Sequence, residues 1–378
     1  MIEAEAVVAA GTLKTTCSRD DLLRGLGIVS RGVSTRTTVQ ILAGILLDAS
    51  EGKLSLAATD MELSLRTAVE AKIESEGSVV VPGRLLLDIA RLLPESEVSL
   101  EHRLEEAVVE VRCGSASYRL HTYNAEDFPR LPDTQGIELH EVGRETLLET
   151  VARVGRSASR DESRPVLTGV LVHFEPGNLV MAATDSYRLS VKETSLEGSV
   201  PELEAIVPAR ALGELARIAG EGDKIVLGVH ENQVVFSTGD AWLTTRRIDG
   251  QFPNYKQLVP EAYEHEVALP REELLDVVRR VSVMAQRNSP LRLRFADGEL
   301  VISAQTQDVG EARESLPASF GAEALEIGFN AEFLRDGIES VTGDTLRFRL
   351  ISPLRPCVLQ AEGSEDFLYL IMPIRLAG

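Results

Sequence analysis

Residues 179–191 read LVMAATDSYRLSV: an alternating apolar strand, a short polar turn and a second alternating strand. The same pattern stands at 54–65, LSLAATDMELSL, and again at 300–312, LVISAQTQDVGEA. Each copy leads into a strand end and an amphipathic helix: VVVPGRLLLDIARLL from Val79, AIVPARALGELARIA from Ala205 and EIGFNAEFLRDGIESV from Glu326. Strand pairs follow each helix, EVSLE with AVVEVRC, KIVLGV with QVVFST, and TLRFRLI with PCVLQAE. The first two copies close on one corner, DFPRLP at 127–132 and QFPNYKQLVP at 251–260. Equivalent residues recur after about 125 positions, so three copies of one unit fill the 378 residues. Each copy also opens with a helix, giving helices over 20–31, 84–92, 144–160, 209–219, 271–287 and 331–341. Pro82 and Pro208 are expected at the first helical position, where a missing N–H costs nothing. The connections are too short for crossovers, so the class is α+β with antiparallel sheets.

Composition narrows the function. With 44% hydrophobic residues and a mean hydropathy of -0.00 the chain fills real cores, yet no stretch is long and apolar enough for a membrane span. The start, MIEAEAVVAAGTLK, is acidic where a secretory signal is basic, so a cytoplasmic protein is expected. Cys17, Cys113 and Cys357 are odd in number, widely separated and without a CxxC pair, which excludes a disulfide framework and a cysteine zinc site. HExxH, GxSxG and GxxxxGK[ST] motifs are all missing, and the six histidines lack ligand spacing. Neither enzyme activity, cofactor nor metal is expected. Asp60 and Asp185 hold equivalent places and read as turn-stabilising residues, ahead of a carboxylate pair.

The formal charge of -20 and pI near 4.8 argue against a protein that grips nucleic acid by neutralising phosphates. The charge is unevenly spread. The six helical segments hold 15 arginines against 12 acidic residues, so the negative excess lies on strands and loops. A mildly positive helical surface of this kind attracts DNA weakly and without sequence preference. The residues alone leave open a three-domain soluble enzyme or interaction scaffold that encircles nothing.

The threefold repeat, ATDSYRLSV (183–191), DGQFPNYKQLVP (249–260), GFNAEFL (328–334) and LIMPIRL (370–376) resemble the bacterial sliding clamp family, the beta subunit of DNA polymerase III, from Leu13 to Leu376. That resemblance implies three clamp-type domains over 1–138, 139–263 and 264–378, with residues 1–12 expected to be disordered. It further implies a head-to-tail homodimer forming a ring, helices lining the inside and sheets outside. Twelve helices each about 10 Å wide leave a hole of roughly 28 Å, enough for a duplex about 20 Å across, whereas six leave about 9 Å. Such a ring holds double-stranded DNA by topology and slides on it, and an acidic exterior repels misplaced phosphate. The implied function is a polymerase processivity factor that tethers DNA polymerases through short peptides and is loaded by an ATP-dependent clamp loader.

Three sets of residues follow from the resemblance. The partner-peptide pocket maps to Leu167, Thr184, Ser186, Tyr187, Arg188, Leu189, Pro253, Leu258, Leu354, Met372, Pro373, Ile374, Arg375 and Leu376. DNA-facing positions are Arg36, Arg160 and Arg164, with Arg24, Arg84, Arg210 and Arg280 placed by helix face and otherwise solvent ion pairs. The dimer interface maps to Arg112, Ser115, Ser117 and Tyr118 on one side and Val283, Met284 and Glu311 on the other. Gln257 stands where the family commonly has arginine, and Ser115 and Ser117 where it often has basic residues, so ionic anchoring is expected to be weaker at both places.

Overall fold

Alternation of apolar and polar residues turns every second side chain of a strand to one face. Burial follows that period along Glu97–Arg103, where Val98, Leu100 and His102 point inward. The computed structural model describes residues 12–34, 37–132, 136–196, 203–230, 232–285, 289–296, 298–306 and 310–376. Residues 1–11 of the stretch 1–12 expected to be disordered, and Arg36, lie outside them. The helices are α1 (Arg19–Val29), α2 (Gly83–Leu92), α3 (Arg144–Val154), the single turn α4 (Pro165–Thr168), α5 (Ala209–Ile218), α6 (Arg271–Ser282) and α7 (Ala331–Ser340). Ser18 caps α1 through its hydroxyl, and Asn330 caps α7 by accepting the Phe333 N–H at 3.0 Å.

Two expectations change. The prolines do not occupy the first helical turn: Pro82 and Pro208 are the last residues of strands Gly77–Pro82 and Leu203–Pro208. Each strand pairs with one neighbour alone, so a residue without an N–H costs no ladder bond. The helix expected over 144–160 stops at Val154 and passes through a 3₁₀ turn at Gly155–Ser157. The buried Ser157 hydroxyl lies 2.7 Å from the Ser190 hydroxyl, and the Ser159 N–H bonds the Leu167 carbonyl at 2.7 Å; both tie the chain to the sheet and its flanking turn instead of a helical axis. Helix α6 likewise ends at Ser282, with 286–288 outside the described residues.

The chain forms two compact units, residues 1–145 with 214–247, and 146–213 with 248–378. The first contains a 12-stranded antiparallel sheet. In it strand Leu63–Ser75 of the first repeat pairs with Ala241–Arg246 of the second, Trp242 opposite Arg66. The second unit contains an 8-stranded sheet and a 4-stranded one. There Arg188–Ser195 of the second repeat pairs with Phe367–Ile371 of the third, Arg188 opposite Ile371. Sheets therefore run on from one repeat into the next inside each unit. Helices α1 and α2 pack together in the first unit, α6 and α7 in the second. Among the described residues no helix is long and apolar enough to cross a membrane.

In the second unit Phe295, Phe329, Phe348 and Tyr369 are fully buried, with the rings of Phe295 and Phe348 edge to face at 6.0 Å. Burying a side chain of this size contributes about 1.5–3 kcal/mol. Phe348→Ala, which adds a cavity, is expected to destabilise this unit by about 3–5 kcal/mol. Urea unfolding followed by circular dichroism checks it; a loss under about 1 kcal/mol contradicts this core.

Candidate functional site

The turn after TD in the second repeat is built by its own side chains. Thr184 donates its hydroxyl to the Arg188 carbonyl at 2.7 Å and accepts the Ser186 N–H at 3.1 Å. One oxygen of Asp185 accepts the N–H groups of Tyr187 (2.9 Å) and Arg188 (3.1 Å). Asp60 does the same for Glu62 and Leu63 in the first repeat, so each aspartate stabilises its own turn. Ser186 is held at a φ of 82° and Met61, its counterpart, at 78°, a left-handed conformation that non-glycine residues adopt at a cost. The turn presents Tyr187 to solvent, 61% exposed.

Beneath the turn Arg188 is buried. Its guanidinium donates to Asp185 at 3.0 Å and to Asp336 of α7 at 2.6 Å, and lies 4.3 Å over the Phe333 ring. Burial alone lowers an arginine pKa, but Tyr369, Asp336 and Asp185 outweigh it and hold this one above its ordinary value. Burial also pushes the Tyr369 hydroxyl up; that group donates to the Phe333 carbonyl at 2.7 Å.

Antiparallel register places three segments at one end of the 8-stranded sheet. Arg188 and Cys357 both face Ile371, so the turn 185–187, the loop before Cys357 and the residues after Ile371 converge. Met372 donates its N–H to the Tyr187 carbonyl at 2.8 Å and Ile374 to the Gly328 carbonyl at 2.8 Å. Gly328 has to be glycine: a Cβ there would sit 2.5 Å from the Leu376 side chain and 2.9 Å from the Ile374 oxygen. Tyr187, Leu354, Met372 and Ile374, all large apolar or aromatic residues, stay exposed at this end. Leu258 is also exposed, on the corner whose Phe252, Tyr255 and Val259 pack around Leu189. Such an apolar surface with a polar rim suits a short peptide with hydrophobic side chains.

Three domain patterns of one family match the chain: the N-terminal, central and C-terminal domains of the DNA polymerase III beta subunit, at residues 13–132, 141–254 and 256–375. The beta sliding clamp of Synechococcus elongatus is 36% identical over 96% of this chain and 100% of that protein. The crystal structure of the Bacillus subtilis DNA polymerase sliding clamp superposes with a TM-score of 0.92 at 26% identity, covering 97% of this chain and 100% of that one. A Pseudomonas aeruginosa sliding clamp bound to griselimycin superposes at 0.89 with 28% identity, covering 97% and 100%. The chain belongs to the beta sliding clamp family.

The residues expected to form the peptide pocket are of three kinds. Thr184, Arg188 and Leu189 are buried, Leu167, Pro253, Pro373 and Leu376 are half-buried, and Ser186 and Arg375 are exposed with the apolar residues above. All of them fall in the second unit. The DNA-facing candidates are divided between the units. Arg24 pairs with Asp21 at 2.7 Å, Arg280 with Glu314 at 2.7 Å, and Arg164 with Asp161 at 2.9 Å while donating to the Ser186 hydroxyl at 3.1 Å. Arg84, Arg160 and Arg210 are exposed. Of the interface candidates, Ser115, Ser117 and Tyr118 lie at or beside the edge strand Ala116–His121 and Glu311 on the edge strand Gly310–Pro317; Arg112 pairs with Glu110, and Met284 is half-buried beside the exposed Val283. Among the described residues no group of three or more His, Cys, Asp or Glu is placed to hold a metal ion.

Sequence reasoning missed Asp336 and Phe333, which hold Arg188 from α7, and Gly328, which seats residues 374–376. A glycine inside a strand signals close backbone approach and would have found Gly328; a mid-helix aspartate has no such signature. Also missed was Glu339, which accepts from Arg156 at 2.6 Å and Arg279 at 2.9 Å. Burial raises its pKa, but the two arginines prevail and hold it below the usual carboxylate value of 4.5. A depressed carboxylate stabilises the fold above its unfolded pKa and loses that contribution as pH falls through the folded value. Glu339→Gln is therefore expected to lower stability by about 1 kcal/mol at pH 7. The gap from the parent should shrink as pH drops below about 4.5. Thermal melts across pH check it; a gap that grows in acid contradicts the assignment.

Proposed function

We propose that this clamp is a DNA polymerase processivity factor that works as a homodimeric ring of three-domain subunits, with domains at 1–138, 139–263 and 264–378. Family membership supports the processivity role. The dimer is supported by a regularity inside the chain. Both inter-repeat joints pair one kind of strand, Leu63–Ser75 or Arg188–Ser195, with another, Ala241–Arg246 or Phe367–Ile371. The third members of these sets, Gly310–Pro317 and Ala116–His121, are left as sheet edges, and unpaired edges invite pairing.

A third joint of the same register, made between two copies, sets Glu311 opposite Arg119 of the partner subunit. The helices agree. At the internal joints the end of α1 meets α5 through Arg31 and Glu214, and the end of α3 meets α7 through Arg156 and Glu339. The equivalent residues at the third joint are Val283 and the end of α2. Val283 is 81% exposed and Leu92 78%, the two most exposed large apolar residues described, and the joint covers both. Head-to-tail pairing of this kind closes when two copies complete the circle.

Double-stranded DNA then threads the ring without sequence preference. Intramolecular carboxylates on Arg24, Arg31, Arg156, Arg279 and Arg280 keep the helical surface only weakly positive, which suits sliding over gripping. The apolar end of the 8-stranded sheet captures peptides from DNA polymerases and other partners, in the cytoplasm, after an ATP-dependent loader opens the ring.

Native mass should lie near twice 41.1 kDa. Val283→Asp, which buries a charge at the joint, should return it to one subunit; an unchanged mass counts against the joint. After loading, the protein should stay on nicked circular DNA in high salt and be lost when that circle is cut. Equal retention on both would overturn encirclement, the observation on which the function turns.

A further inference from the structure

Arg188 does not reach the surface on which a peptide would lie, yet everything that shapes that surface meets at it. Its backbone is the first rung of the pairing with Phe367–Ile371, and the residues on either side of that rung, Tyr187 and Met372, are exposed and bonded to each other. Its side chain runs the other way, under the turn, to a carboxylate on a helix of the next repeat. The side chain of Arg188 is 7% exposed and that of Asp336 16%, so the pair is shielded from solvent and salt.

We propose that Asp336 is a positioning residue for peptide capture. It touches no peptide; it fixes Arg188, and through Arg188 the angle between the 185–187 turn and the segment 372–374. The inference rests on the reading of this surface as the peptide pocket.

The chemistry favours a two-position device. A guanidinium is planar and presents its donors in a fixed fork. Here one edge is claimed by Asp185, in the turn itself, and another by Asp336 on α7, while the flat face lies on Phe333 of the same helix. Phe333 is in turn fixed by the Tyr369 hydroxyl on its carbonyl, and Tyr369 sits on the strand that ends at the pocket. The first repeat has the same turn without the device: Leu63 stands where Arg188 does, its carbonyl accepting the Asp60 N–H as that of Arg188 accepts the Asp185 N–H. There the exposed turn residues are Met61 and Glu62, and Arg246, not a methionine, donates its N–H to the Glu62 carbonyl. The aromatic and apolar side chains and the buried ion pair beneath them thus occur together at one joint and are replaced together at the other.

The test uses griselimycin as the probe and the full-length protein at 25 °C. Asp336→Asn keeps the shape and an acceptor oxygen but removes the charge. It should weaken griselimycin binding about tenfold or more while the native mass is unchanged. Arg188→Lys, which cannot hold both carboxylates and the ring face, should weaken it similarly, and Asp336→Asn added to it should change affinity less than twofold further. Glu339→Gln removes the same charge from the same helix and should leave affinity unaltered. A 3-fluorotyrosine label should shift its Tyr187 fluorine resonance in Asp336→Asn and not in Glu339→Gln. If Asp336→Asn does not fold, the apolar pair Arg188→Met with Asp336→Leu is measured in its place and should fold yet bind weakly. Met372→Ala separates the two readings. Weak binding by Met372→Ala with full binding by Asp336→Asn overturns the positioning role alone. Full binding by Met372→Ala overturns the pocket itself.

Discussion

Sheet edges that cannot be left open organise this molecule. Each repeat carries one strand that ends its own sheet on one side and another that ends it on the other, and a bare row of N–H and C=O groups is costly to bury and prone to wrong pairing. Inside the chain the problem is solved twice, by pairing Leu63–Ser75 with Ala241–Arg246 and Arg188–Ser195 with Phe367–Ile371. The compact units follow these joints, which is why the middle repeat contributes to both. One strand of each kind is left over among the described residues, and in the ring we propose a second copy of the chain offers the missing complement.

The two internal joints share a backbone plan but differ in what fastens them. At the second, three buried cations bridge the repeats: Arg188 to Asp336, Lys192 to Asp366, and Arg153, which donates to the Ser340 carbonyl at 2.8 Å and lies 4.1 Å over the Phe367 ring. At the first, the place corresponding to Arg153 and Phe367 is held by Ile28 and Ala241, and both line a cleft of about 160 Å³ with Arg24 and Asp240. Buried ion pairs contribute little net stability, but losing one partner is expensive, so they fix a geometry more than they strengthen a fold. The surface we propose for peptides is assembled from two repeats and needs a fixed geometry.

The apparent conflict between an acidic chain and a DNA-associated role dissolves at the level of individual side chains. Helical arginines such as Arg24, Arg156, Arg279 and Arg280 are matched by carboxylates a few ångströms away. Exposed pairs of this kind are weak and exchange readily with phosphate or water. A ring that holds DNA by enclosure has no need of strong contacts, and strong ones would slow its movement.

The repeat, the antiparallel α+β class and the turn role of Asp60 and Asp185 were legible in the residues, because strand alternation, helix periodicity and turn chemistry are local. The ends of the helices were less so: Ser157 leaves its helix for a partner, Ser190, far along the chain, and Pro82 and Pro208 finish strands because those strands are edges. Asp336 and Glu339 owe their roles to neighbours from other elements or repeats, and nothing in their own surroundings in the sequence marks them, whereas Gly328 carries the signal of a glycine inside a strand. Sequence by itself determined which segments become strands, turns and helices, since those choices depend on residues within a few positions. Only the tertiary structure decided which edges meet and which charges are neutralised, because strand pairing and ion pairing are set by distance in space.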